Sequence, residues 1–128
     1  MEHNRHYSPL DANETLPRVV ELLDALRDAR DRLSDRAARE ALAEAAPGNG
    51  GGEPGITVSG GFLDIRAALE ELQAREIVLR DLDRGLVDFP SLRDGREVYL
   101  CWEEGEPEVG FWHEFDAGHA GRQPLGDA

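Results

Sequence analysis

Arg96-Glu97-Val98-Tyr99-Leu100-Cys101-Trp102-Glu103, entered through Asp94-Gly95 and left through Glu104-Gly105-Glu106-Pro107, decides the fold. Aromatic and β-branched residues favour strands, and a strand points successive side chains to opposite faces. Val98, Leu100 and Trp102 therefore share one face, and Tyr99, Cys101 and Glu103 share the other. Asp-Gly between two such runs is a two-residue hairpin signal, because both turn positions need a positive φ. Gly85, Gly95 and Gly105 recur at intervals of ten, each beside a charged turn residue. That spacing predicts an antiparallel meander of about four strands, over about 76–81, 85–90, 96–103 and 108–114.

On the last of these strands, alternation groups Val109, Phe111, His113 and Phe115 on one face. Gly110, Trp112 and Glu114 fall on the other. Val98, Leu100, Trp102, Val109 and Phe111 then form the core set beneath the helices, with His113 at its edge. Leu86, Tyr99, Cys101 and Trp112 are expected on the far face. A bare face carrying a tryptophan and a tyrosine is unusual for a monomer. It is expected to be covered by the tail from Ala117 on, or by a second copy in a two-fold homodimer.

Upstream the apolar period lengthens. Ser8-Pro9-Leu10-Asp11 carries a capping box with proline at the first helical position. Pro17 lacks a backbone donor and disfavours helix at Leu16, which predicts a short helix over about 9–15 and a restart. Leu16, Val19, Leu23, Leu26, Leu33 and Ala37 then repeat at threes and fours, interrupted only at Arg30, to about residue 46. Asp28/Arg32 and Asp35/Arg39 have the spacing of helical ion pairs. Residues 47–60 read as a Gly-rich linker, since 47–61 holds seven of the fourteen glycines. Its run GNGGGEPG lacks the Lys-Ser/Thr of a phosphate loop, and no strand precedes it. Phe62, Ile65, Leu69 and Leu72 mark a second amphipathic helix over about 61–75. The expected fold is a single α+β domain over residues 1–128, a long N-terminal helical hairpin packed on the small antiparallel meander, with a tail at 115–128.

The chain has 128 residues and a formal net charge of −13. It has no lysine; all fourteen basic residues are arginine. Such a balance speaks against nucleic acid, whose binding neutralises phosphates, and against anionic membrane surfaces. No apolar run approaches the roughly 20 residues of a bilayer span. The opening MEHNRHYSPL lacks the apolar stretch of a signal peptide. A single cysteine, Cys101, excludes an internal disulfide framework. The expectation is a cytoplasmic protein.

Four segments carry a family resemblance. They are Asp83-Arg84-Gly85-Leu86-Val87-Asp88-Phe89-Pro90, then Arg96 to Trp102, then Phe111-Trp112-His113-Glu114, then Gly118 with Gly121-Arg122-Gln123-Pro124. With Tyr7-Ser8, Asp11-Ala12-Asn13 and Leu16-Pro17 at the front, the chain resembles the bacterial and archaeal DUF2203 family, a domain of unknown function. The resemblance covers nearly everything but the Gly-rich linker. It implies no activity. The family usually carries an aromatic at the position of His119, which implies no family-wide role for that histidine.

The candidate chemistry centres on His113. As a structural residue it would be half-buried and satisfied by a backbone carbonyl or by a carboxylate such as Asp11. As a metal ligand it would act with Asp116, His119 and Asp11, with Asp88 a further source of carboxylate. A histidine among carboxylates suits Zn, Mn or Fe. Cys101 with His113 would suggest nucleophilic catalysis, but the alternation puts them on opposite faces. Arg122, between glycines, would either bind an anion or close an ion pair with a neighbouring acid. No Gly-x-Ser-x-Gly or His-Glu-x-x-His is present, nor a dinucleotide fingerprint in its strand–turn–helix setting. Two functions follow as expectations. The first is a non-enzymatic interaction or accessory module without a cofactor, a homodimer through the sheet face with Tyr99 and Trp112, with a protein partner of unspecified kind. The second is a small metal-binding protein or hydrolase-like enzyme centred on His113.

Overall fold

A computed structural model describes residues 1–45 and 54–126. Two helices, α1 (Pro9–Ala45) and α2 (Pro54–Ala74), precede one antiparallel sheet. Its strands are β1 (Val78–Asp81), β2 (Leu86–Arg93), β3 (Arg96–Glu103), β4 (Phe111–His113) and β5 (Gln123–Pro124), in sequential order. The α+β class and the meander hold, with five strands instead of four. The fifth comes from the tail, where Gln123 and Pro124 pair with Trp112 and Phe111. Among the described residues, no helix is long and apolar enough to cross a membrane.

Helix α1 begins where the sequence puts it. Ser8 N–H donates to Asp11 Oδ2 (3.2 Å) and Asp11 N–H to Ser8 Oγ (3.0 Å), closing the capping box. The expected break at Pro17 does not occur; the helix passes through it. An interior proline costs about 3 kcal/mol. Ala12, Val19, Leu22, Leu23 and Leu26 are buried on either side of it. Each Val or Leu so buried contributes about 1.5–3 kcal/mol, so packing outweighs the lost bond. Asp28 and Arg32 form the expected pair (3.2 Å); the side chain of Arg39 lies outside those described.

The linker is shorter than its composition suggests. Residues 54–60 are already helical, with Pro54 at the start of α2. Residues 46–53 of the expected linker lie outside the described residues. Gly61 explains part of the difference. A Cβ there would lie 2.9 Å from Leu33 Cγ, so the glycine lets the two helices approach. The buried stripe of α2 is accordingly Gly61, Ala68 and Leu72, with Ile65 half-buried. Phe62 and Leu69, expected on that stripe, are 62% and 44% exposed.

Strand β3 keeps its expected bounds, and the Asp94-Gly95 turn has both φ angles positive, at 52° and 80°. Register pairs Asp88 with Cys101 and Phe89 with Leu100. Val87, Phe89, Val98, Leu100 and Trp102 join the α1 leucines in one core cluster. The face assignment of the last strand fails. Its expected start at 108 is irregular chain, and the ladder opens only at Phe111. Val109 N–H donates to Asn13 Oδ1 (2.7 Å), and Gly110 O accepts from Leu125 N–H (2.9 Å). These contacts hold 109–110 out of the alternation, which restarts at Phe111. Val109 and Trp112 both reach the helix side, and Trp112 opposes Leu100. Phe111 and His113 oppose Cys101 and Tyr99 on the far face. Tyr99 and Trp112 therefore do not share a face.

The far face is covered from within the chain. Phe115 stacks on Tyr99 (4.3 Å between centroids), and the Arg122 guanidinium lies over Phe111 (3.9 Å). His3 Nε2 meets Tyr99 Oη at 2.9 Å. The N-terminal segment also lies along β2: Tyr7 N–H donates to Pro90 O (2.7 Å), and Ser91 Oγ donates to Tyr7 O (2.5 Å).

Candidate metal centre

The restart at Phe111 brings together three groups that metals bind. Asp88, Cys101 and His113 are 2%, 0% and 1% exposed. They come from three adjacent strands, and one donor atom of each lies within 4.8 Å of the others. An ionisable cluster so buried must be internally partnered, or the cost is several kcal/mol per charge.

Proton counting shows what the partners lack. His113 Nδ1 lies 2.7 Å from the carbonyl oxygen of Glu114, which can only accept. Nδ1 therefore carries a proton. Nε2 lies 3.0 Å from Asp88 Oδ2. A neutral imidazole with its proton on Nδ1 presents a lone pair to that oxygen. The contact requires a second ring proton, a proton on Asp88, or a cation shared by both. Arg80 Nε–H also donates to Asp88 Oδ2 (2.8 Å), and its guanidinium lies over the Tyr99 ring (5.1 Å). Asp88 Oδ1, shielded from solvent, meets no nitrogen or hydroxyl donor among the described residues.

Cys101 does not fit a nucleophile. Burial, reinforced by Asp88, pushes its thiol up to about 12, against the pull of Arg122. Nδ1 of His113 is spent on the Glu114 carbonyl, and Nε2 is directed at Asp88 Oδ2 instead of the thiol, so the hydrogen bond that joins a nucleophile to its base is not formed. Cys101 and His113 lie on one face, contrary to the expected alternation, yet the thiol is buried and protonated and makes no hydrogen bond to the ring. The same features suit a metal ligand, because a histidine fixed through Nδ1–H to a carbonyl presents Nε2 in one orientation.

Of the other sequence candidates, Arg122 lies beside the Cys101 thiol, and the rest sit elsewhere. Asp11 is exposed and spends its carboxylate on the α1 cap. Asp116 and His119 border a cavity next to Asp88 and are not in the cluster. His119 Nε2 lies 3.4 Å from Glu103 Oε1. Arg122 forms a two-pronged pair with Glu106 (3.1 and 2.8 Å), which holds its guanidinium charged above the usual range. Nothing local in the sequence singles out Arg80 or the Glu114 carbonyl. The signal for Asp88 was there: an acid inside the apolar run Leu86-Val87-Asp88-Phe89.

No curated protein and no solved structure matches the chain. A family model described as "Uncharacterized conserved protein (DUF2203)" matches residues 5–125. That span contains α1, α2, all five strands and all three residues of the cluster, and on it the chain belongs to the DUF2203 family.

Proposed function

We propose that this protein binds a divalent transition metal, zinc foremost, through Asp88, Cys101 and His113. The observation that carries the reading is the buried convergence of carboxylate, thiol and imidazole, with a proton or cation missing between His113 Nε2 and Asp88. Donor atoms on one tetrahedral zinc stand roughly 3.3–3.8 Å apart. The cluster needs only small side-chain shifts to meet that. A thiolate ligand favours zinc or iron over manganese. Metal binding would displace the Cys101 proton and neutralise charge where water cannot. Arg80 would keep Asp88 oriented from outside. A buried thiol ligand also suits a reducing, cytoplasmic setting.

Metal analysis tests this. Protein exposed to zinc and then exhaustively dialysed is expected to retain it stoichiometrically. His113→Ala and Cys101→Ser are expected to abolish retention, while Asp116→Asn, outside the cluster, keeps it. Zinc-free wild-type protein after that treatment would sink the proposal.

A second reading, a non-enzymatic module pairing with a copy of itself, is supported by a different surface from the one expected. Phe62, Leu63 and Leu69 of α2 are 62%, 62% and 44% exposed. Sedimentation of the wild type against Phe62→Ser/Leu63→Ser tests it: a dimer lost on substitution supports it, and a monomeric wild type removes it.

A further inference from the structure

Beside the cluster lies a cavity of ≈ 300 Å³, bordered by Arg80, Leu86, Asp88, Phe115, Asp116 and His119, among others. We infer that it receives a small oxyanion, a carboxylate or phosphate, which completes the coordination of the metal. This inference rests on the metal reading above. Three protein ligands leave tetrahedral zinc a fourth position for water or an exogenous ligand. Asp88 is the cluster member that borders the cavity, so that position is reached from there.

The cavity wall selects the charge. Arg80 brings a guanidinium beside Asp88, fixed through Nε at 2.8 Å. His119 brings a ring nitrogen, Nε2, that is shielded from solvent and has no hydrogen-bond partner among the described residues. Its nearest acid, Glu103, already accepts from Arg84 Nε and Nη2, both at 3.0 Å. A cationic ligand would meet Arg80 and the metal together. A neutral apolar ligand would find only Leu86, Phe115 and small residues. An oxyanion finds a metal, a guanidinium and an imidazole, opposed by the solvent-exposed carboxylate of Asp116. The volume stands at the lower end of ligand cavities, which suits a few heavy atoms. Binding exchanges the metal-bound water for one anion oxygen, with no bond made or broken in the anion.

Cobalt-substituted protein provides the test, because its visible absorption reports the ligands of the metal. Titration with acetate and with inorganic phosphate is expected to shift the bands saturably. A response to phosphate alone assigns the phosphate class, and a response to both assigns oxyanions generally. Arg80→Gln is expected to weaken the response about tenfold or more, the scale of a lost hydrogen bond to a charged group. Should that variant fail to hold cobalt, His119→Gln takes its place with the same expected direction. Bands that neither anion moves, or anion affinity unchanged in the measured variant, would overturn the inference and leave the metal reading standing. Failure of the wild type to bind cobalt or zinc would overturn both.

Discussion

On the helix side of β3, Val98, Leu100 and Trp102 meet an apolar layer that includes Val19, Leu23, Leu26, Phe89 and Trp112. On the other side, Tyr99 and Cys101 sit among Asp88, His113, Arg80 and Phe115. Both sides are buried, and they are held differently. The helix side depends on area and shape, which many apolar side chains can supply in part. The far side depends on particular atoms at particular distances, where removing one partner strands another. A sheet can thus carry a forgiving face for stability and an exacting face for chemistry, separated by one residue of register.

The comparison is open to attack at three places. The largest effect is expected at Phe89, fully buried on the helix side with its ring 5.2 Å from that of Tyr7. Phe89→Ala should cost about 3–5 kcal/mol in urea unfolding, while the folded fraction should still take up zinc under the proposed metal reading. A loss of metal in step with stability would show that the two faces are not separable. Next is Asn13, whose Oδ1 holds Val109 N–H and so helps restart the alternation. Asn13→Ala should cost about 1–3 kcal/mol for the stranded donor. It should also loosen zinc retention by relaxing the placement of His113, as metal titration of the variant would show. Unchanged retention would mean that β4 holds its register without this pin.

The smallest effect belongs to neither face. Arg18 grips Glu71 across the two helices (2.6 and 2.5 Å), and its hydrogen bonds lower the Glu71 carboxyl from 4.5 to about 2. A depressed carboxyl stabilises the fold above its unfolded value and loses that contribution as pH falls through the folded one. Glu71→Gln should therefore melt slightly below the wild type above pH 4.5. The gap should close as the pH falls to about 2. A gap that persists at the acid end would assign the effect to packing instead of charge.

Much of this was legible in the residues. Ser8 and Asp11 announced the start of α1, and Asp94-Gly95 fixed the β2–β3 register, because both are local chemistry. The core face of β3 followed from its own alternation. What escaped was decided at a distance. Pro17 reads as a break until the burial of Val19 and Leu23 is weighed against it. The glycines near 60 read as linker until Leu33 is seen to need the space. The parity of β4 hung on a side chain of α1, Asn13, almost a hundred residues away. That one slip hid the cluster, since it set His113 on the opposite face from Cys101.

The N-terminal segment has a bearing on how this molecule behaves in a crowd. Sheet edges invite foreign strands, because their unpaired N–H and C=O groups form a template for aggregation. Strand β1 reaches only as far along β2 as Asp88. Beyond it stands Pro90, which has no N–H to offer, and its carbonyl is already taken by Tyr7. Ser91 then fastens the Tyr7 carbonyl in turn. The upper border of the sheet is thereby closed against intruding strands by an imino acid and a short piece of the chain itself. Trimming that piece back past Tyr7 would expose a ready acceptor and turn a protected border into a place where one copy could begin to polymerise with the next.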